Sequence, residues 1–375
     1  RKPQVPVTTR IQAIRARPRQ DVGMTTPRAA AAAVLCALLP AAPAQASPEE
    51  SGESGGLDHP RGGKGPEGSE VAFEFQDPRI SESSGIAPSL RHEGVWWTHN
   101  DSGDHPSEVY AVDEEGRTLA TLSLPLERRD WEAISVAEAP DGTPSVFVGD
   151  IGDNFGGSWP HVRVYRFAEP ATLVDAVVEP VTFTLVYEDG GRDAESMMID
   201  PRDGRLYVVS KEFAGGLYAA PETLDPGTEN TLERIDSAPL FATDAAFAPD
   251  GTRYAIRTYW GVTVHDSTDG VPGPTLGSFD LPESDQGESI AFTPDGTALM
   301  AGTEGVNAPV WRVPLEERYL DEGKKVELVS EEEPSEEKEA DTGESEAANA
   351  LPLIAGGALV AALVITGIVL LARRG

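Results

Sequence analysis

From residue 71 to about residue 327 the chain is a succession of short apolar runs, many alternating with polar positions, and helical periodicity is nearly absent. One turn recurs between these runs: Pro-Asp-Gly at Pro140, Pro249 and Pro294, and Pro-Arg-Asp-Gly at Pro201. Aspartate tolerates such a turn and glycine takes its positive φ, so each reads as a hairpin. Four segments superpose on it: WEAISVAEAPDGTPSVFVGD, AESMMIDPRDGRLYVVSK, TDAAFAPDGTRYAIR and GESIAFTPDGTALMAGTE. A fifth, SSGIAPSLRHEGVWWTHN, carries His-Glu-Gly at the turn. Further strand-like runs follow within each unit, such as 108–112 and 118–124, or 163–167 and 181–187.

Four short strands per repeat predict an all-β fold, a β-propeller of five four-stranded blades spanning residues 71–328. A sixth, irregular blade is the alternative. Residues 71–75 are expected to supply the outer strand missing from the last repeat and close the ring, with 326–329 as the competing segment.

The aligned repeats place polar residues at corresponding points. The inner strands open with Ser84, Glu132, Glu195, Asp244 and Glu288, each followed by a small residue that suits a crowded axis. The second strands end at Asn100, Asp150, Lys211, Arg257 and Glu304, so each hairpin brings its pair to one end of its blade. Ten polar side chains are thereby expected around one channel mouth. Clustered carboxylates repel unless a base or a hard cation stands among them, and a cation such as Ca²⁺ takes oxygen ligands. Asp101 and Asp104, with Asp150, Asp153 and Asn154 of Gly-Asp-Ile-Gly-Asp-Asn, form the expected metal set.

Three readings of these residues stay open: turn-capping and ties between blades, as Asx side chains commonly provide; a ligand site of Asn100, Asp150, Lys211, Arg257, Glu304, Asp244 and Trp159; or catalysis by Glu132, Glu195 and Glu288. Glu82, Asp130 and Asp193 adjoin the ring and are its possible substitutes. Trp96, Trp97, Trp131 and Trp260 read as core, and Trp159, in the loop Gly-Gly-Ser-Trp-Pro-His, as an exposed ligand contact.

The ends of the sequence change the setting. Residues 1–23 read as an upstream extension ahead of a start at Met24. Arg28, an apolar stretch to Leu39 and Ala44-Gln45-Ala46 then make 24–46 a secretory signal, which also contains Cys36, the only cysteine. Residues 47–70 read as a disordered linker and 329–350, dense in glutamate, as a self-repelling spacer. Residues 351–372 are uncharged and followed by Arg373-Arg374, a transmembrane helix with a cytoplasmic tail at 373–375. The expected location is the cell membrane, single-pass, with the propeller outside.

The formal net charge of −33 excludes nucleic acid as a partner. A zinc-protease His-Glu-x-x-His, a nucleophile elbow, a P-loop and a paired-cysteine metal motif are all missing from the sequence.

Through SSGIA, THNDSGD, DWEAI, GDIGDN, DAESMMIDP and GESIAFTPDG, the segment from Ile80 to Val313 resembles secreted actinobacterial WD-repeat-like β-propellers. NHL-type, phytase-like and SdiA-regulated propellers are similar. The resemblance implies the fold and leaves activity open; phytase-like relatives imply Ca²⁺ and phosphoester hydrolysis, and five-bladed glycosidases use channel carboxylates. The expected function is a monomeric ligand-binding or interaction module, Ca²⁺ its one expected cofactor, for a small-molecule, saccharide or protein ligand. A secreted hydrolase acting on glycosides or phosphoesters is the rival.

Overall fold

In the computed structural model, which describes residues 64–101 and 103–320, the five repeated turns share one conformation. Gly94, Gly142, Gly204, Gly251 and Gly296 lie at φ of 69, 78, 76, 71 and 69°. Asp141, Asp203, Asp250 and Asp295 each accept a hydrogen bond from the backbone N–H two residues on, at 2.9–3.0 Å. The aspartate thus fixes the turn and the glycine relieves the strain that a side chain would meet there.

The strands run in order. β1 (Glu70–Glu74) precedes a first meander of β2 (Ser83–Pro88), β3 (Val95–Asn100), β4 (Glu108–Asp113) and β5 (Thr118–Ser123). A second comprises β6 (Trp131–Glu138), β7 (Pro144–Asp150), β8 (Val162–Ala168), the short β9 (Ala176–Val177) and β10 (Val181–Tyr187). The third holds β11 (Ala194–Ile199), β12 (Leu206–Ser210), β13 (Gly216–Ala219) and β14 (Glu229–Ser237). A fourth runs β15 (Ala242–Phe247), β16 (Arg253–Thr258), β17 (Gly261–Asp266) and β18 (Thr275–Asp280), and the last β19 (Gly287–Phe292), β20 (Ala298–Thr303) and β21 (Pro309–Pro314). Among the described residues the one helical element is a 3₁₀ turn at Glu317–Tyr319.

β1 pairs antiparallel with β21, Glu70 opposite Arg312, and so completes the last sheet with a strand from the start of the fold. The inner strands β2, β6, β11, β15 and β19 pack each on the next, and β19 packs back on β2. An all-β ring of sheets around a central channel is a propeller. Two pairings were not visible in the repeat pattern. β9 adds to the edge of β5 in parallel, and β10 joins β14 in parallel, which fuses the second and third meanders into one eight-stranded sheet.

Apolar side chains fill the spaces between neighbouring sheets. Trp97 and Trp131, wholly buried, share one cluster with Ile134 and Tyr165, while Phe75, Trp96 and Tyr110 share the cluster that joins the last sheet to the first. The Trp97 indole N–H donates to Glu169 Oε1 at 2.6 Å, satisfying a donor that burial would otherwise penalise. Truncating such a tryptophan costs about 3–5 kcal/mol.

No helix among the described residues is long and apolar enough to cross a membrane. The upstream extension, signal peptide, most of the linker, the acidic spacer and the transmembrane helix lie outside the described residues, as does the competing segment 326–329.

Candidate functional site

Each inner strand carries a bulge at its first residues, and this sets what reaches the channel mouth. Ser83, Trp131, Ala194, Ala242 and Gly287 pair with Asn100, Asp150, Ser210, Thr258 and Thr303, and the register then slips by one residue at Ser84, Glu132, Glu195 and Thr243, and again beside Glu288. A bulge lifts one residue out of the pleat and re-aims it. The structure therefore puts Thr243, not Asp244, in the position of Glu132 and Glu195. Ser84 Oγ donates to the Glu132 carbonyl and Thr243 Oγ1 to that of Gly287, both at 3.1 Å, so each uncharged bulge residue ties its strand to the next.

The second-strand ends are shifted as well. Asp101, Lys211 and Glu304 lie one residue beyond the paired ends, and their N–H groups donate to Glu82, Asp193 and Gln286 carbonyls at 2.8, 2.9 and 3.0 Å. These three occupy equivalent places. Asn100 and Asp150 stand one residue earlier and serve the backbone: Asn100 Oδ1 accepts from Ser81 and Glu82 N–H at 3.0 Å, and Asp150 Oδ1 from Arg129 and Asp130 N–H at 3.1 and 2.7 Å. Asp150 Oδ2 accepts from the Tyr165 hydroxyl at 2.9 Å, with Arg129 and Arg163 each 3.9 Å away. Arg257 is buried, donates to the Ser289 and Gly302 carbonyls at 2.5 and 2.8 Å, and is pulled down to about 10 by burial. Asp244 accepts from Ala245 and Ile290 N–H at 2.8 and 2.7 Å, bridging two inner strands.

Gly-Asp-Ile-Gly-Asp-Asn divides in the same way. Asp153 is fully buried and organises the loop after β7, accepting from Phe155 N–H at 3.1 Å and Trp159 N–H at 2.5 Å. Asn154 is exposed and donates to Asp130 Oδ2 at 3.1 Å. Asp104 is exposed in the loop after β3. Trp159 is half-buried under the guanidinium of Arg129, 4.7 Å from its ring centroid.

What gathers at the mouth is a set of carboxylates, with Arg128, which donates to the Asn100 carbonyl at 2.8 Å and feels the charges of Asp101 and Asp130, at one side and Lys211 among them. Asp101, Asp130 and Glu132 each offer an oxygen within 4.8 Å of the others. By sequence Asp130 only adjoins the ring; the bulge at Glu132 makes it a neighbour of the mouth, a shift that leaves no trace in hydrophobic spacing. Gly152 closes the group from one side: a Cβ there would lie 2.5 Å from Glu132 Oε1 and 2.6 Å from Asp130 Oδ2. Glu195 is paired with Lys211, whose ammonium also sits 4.9 Å over the Tyr259 ring.

Electrostatics at the mouth is dominated by burial. It raises Glu132 well above the carboxylate range, helped by Glu195, Asp101 and Asp130, and raises Glu195 likewise, helped by Glu288. Glu288 is raised by burial against the pull of Lys211. Glu304 is pushed up to about 7, by burial and then by Glu288, Asp101 and Glu82. Burial opposes the charge of Lys211, yet Glu195 keeps its ammonium above the usual lysine range. One oxygen of Glu195 and one of Glu288 are buried without a hydrogen-bond partner. An added cation there would relieve the mutual repulsion of these carboxylates.

A cavity lies at the other end of the channel. About 390 Å³ in volume, it is lined by the far halves of the inner strands, including Ile86, Ile134, Met198, Phe247 and Phe292. Its lining is mostly apolar, with Glu138 at its edge, and includes none of the charged residues of the mouth.

No family model matches the sequence, and no curated protein matches it. Among solved structures the chain is similar to a gluconolactonase of Xanthomonas campestris important in glucose secondary metabolic pathways, at 14% identity and TM-score 0.41, over 66% of this chain and 89% of that one. It is similar to Kuenenia stuttgartiensis hydrazine synthase at 15% identity and TM-score 0.34, over 59% and 61% of the two chains. Similarity to U3-55K is 11% identity and TM-score 0.36, over 68% of this chain and all of the other. At these identities and scores the likenesses say nothing of activity.

Proposed function

We propose that the protein is an extracellular, membrane-anchored β-propeller of five blades, counting each half of the eight-stranded sheet as one. It acts as a monomeric ligand-binding module whose acidic mouth seats a divalent cation such as Ca²⁺. The observation that carries this reading is the convergence of Asp101, Asp130 and Glu132, with oxygens within 4.8 Å of one another, beneath a glycine that leaves them room. A hard cation takes six to eight oxygens at about 2.3–2.6 Å, so three carboxylates leave positions for a bound ligand. Asp150 and Asp153 serve the loops that hold this seat.

Binding to the folded state alone stabilises it by about 2.7 kcal/mol when free cation exceeds Kd a hundredfold. The melting temperature of the detergent-solubilised full chain should rise with Ca²⁺ and return with chelator. Asp130→Asn with Glu132→Gln, isosteric at both sites, should abolish that rise. An unchanged melting temperature for the unaltered chain with and without Ca²⁺ sinks the reading.

A second reading, a hydrolase of glycosides or phosphoesters, is favoured by Glu304, whose carboxyl sits near neutrality as an acid–base group requires. Nitrophenyl glycosides and phosphates test it: Glu304→Gln should remove any turnover of them.

A further inference from the structure

The acidic mouth is ringed by exposed aromatic side chains. Three of the loops that follow second strands carry one each: Phe155 after β7, Phe213 after β12 and Trp260 after β16, exposed by 76, 81 and 41%. Because these loops follow the second strands, they stand at the end of the channel where Glu132, Glu195 and Glu288 begin the inner strands. Each aromatic has a partner at its side. Phe155 meets Trp159 at 6.3 Å, Phe213 meets Phe241 at 6.3 Å and Trp260 meets Tyr259 at 5.8 Å, all edge to face. Phe241 holds a φ of 55°, a conformation that costs a bulky residue free energy unless its placement is used. In a fourth equivalent loop Val306 is 57% exposed.

Isolated exposed apolar residues need no explanation, but one in each of four loops at the same end of the channel gives that end an apolar character. Its centre bears the opposite character: Glu195 and Glu288, buried by more than nine-tenths, each keep an oxygen without a hydrogen-bond partner. A neutral saccharide could stack on the rings but would bring no positive charge to a mouth where carboxylates outnumber cations. An anionic lipid surface would be repelled by a chain of net charge −33. A metal ion alone would leave the aromatic pairs uncovered.

We propose that this face docks a basic polypeptide segment, with a lysine or arginine side chain entering the mouth toward Glu288 and Glu304 and neighbouring apolar residues lying on the Phe213 and Trp260 pairs. The proposal rests on reading the mouth as a ligand seat and names the ligand's chemistry. Aromatic platforms and desolvated charge pairs carry most of the energy in such contacts.

The probe is a fluorescein-labelled peptide of lysine, tyrosine and glycine, followed by anisotropy on the detergent-solubilised full chain in chelator. The peptide should bind, and its counterpart with glutamate at every lysine should not. Raising NaCl from about 0.1 to about 1 M, which shortens the Debye length from about 10 to about 3 Å, should weaken binding. Phe213→Ser with Trp260→Ser should weaken it at least about tenfold, as expected for removing anchor side chains. Phe155→Ser, on a separate loop, gives a second measurement with a smaller loss. Equal binding by the unaltered chain and the double variant, equal binding of the acidic counterpart, or binding of maltohexaose in place of the lysine peptide would each overturn the proposal. The Ca²⁺-dependent melting shift, read on the same preparations, should persist in the double variant. Its absence from the unaltered chain would count against the cation seat and not against peptide docking.

Discussion

Lys211 lies between two unlike partners: its ammonium pairs with the Glu195 carboxylate and rests 4.9 Å from the centroid of Tyr259. Lys211 leaves the second strand of the third meander and Tyr259 that of the fourth, so this one cation links two neighbouring sheets across the mouth.

Lys211→Met should therefore destabilise the fold by more than a surface lysine would. Removing one member of a fully buried pair costs about 3–5 kcal/mol; with Lys211 partly exposed, about 2 kcal/mol is expected. Urea titration checks this. Adding Glu195→Gln should recover part of the loss, since the stranded charge goes with it. A double variant that is additively worse would show that the pair does not interact.

Stability should depend on pH through Glu304. Its carboxyl is raised to about 7 in the folded protein, against about 4.3 in the unfolded chain. Between these values the native state holds more protons, so stability falls as pH rises. The contribution is fully present below about pH 4.3 and gone above about pH 7. Buried His99, pulled down to about 4 by burial, acts the other way, losing stability as pH falls below about 6.5. The difference in melting temperature between the unaltered chain and Glu304→Gln isolates the first effect, because the histidine contribution cancels. It should change monotonically from pH 4 toward pH 8, and a flat difference contradicts it.

Asp150→Ala leaves the N–H groups of Arg129 and Asp130 and the Tyr165 hydroxyl without their acceptor. About 2–3 kcal/mol of stability should be lost, a fall of roughly 5–10 °C in melting temperature. The Ca²⁺ response should survive. If the response vanishes while stability is kept, Asp150 belongs among the metal ligands, as its place in Gly-Asp-Ile-Gly-Asp-Asn first implied.

Gly152→Ala tests the seat from another side. The backbone there is not at positive φ, and the added methyl would meet Glu132 and Asp130 first, at 2.5 and 2.6 Å. Pushing those oxygens apart should weaken Ca²⁺ roughly tenfold, about 1.4 kcal/mol, in a thermal-shift titration. An unaltered Ca²⁺ midpoint would mean that the cation, if bound, sits elsewhere.

How far the molecule could be read beforehand follows from what each feature leaves in the sequence. The Pro-Asp-Gly turns and the alternating runs around them are local, so the hairpins and inner strands were legible. The bulges were not: an extra residue at Glu132 or Thr243 disturbs the hydrophobic pattern no more than a loop of different length would. That one-residue slip is why the sequence aligns Asp244, rather than Thr243, with Glu195; on the second strand Tyr259, two residues after Arg257, holds the place of Lys211. Hydrogen-bond capacity was equally hidden. Asn100 and Asp150 look like ligands in a list of polar residues, and only the neighbouring backbone N–H groups show that their oxygens are engaged. Phe155 and Phe213 escaped notice because an aromatic in a strand-rich sequence is most often core.

The pairing of β1 with β21 carries a consequence for synthesis. Glu70 emerges from the ribosome long before Arg312, its partner across the sheet. Until then β1 waits with an open edge that carries Val71 and Phe73, and β21, once made, offers the vacant place beside it. Two chains folding side by side could each lend the other a first strand, since an unpaired edge accepts any matching backbone. Intertwined pairs should therefore accumulate at high expression.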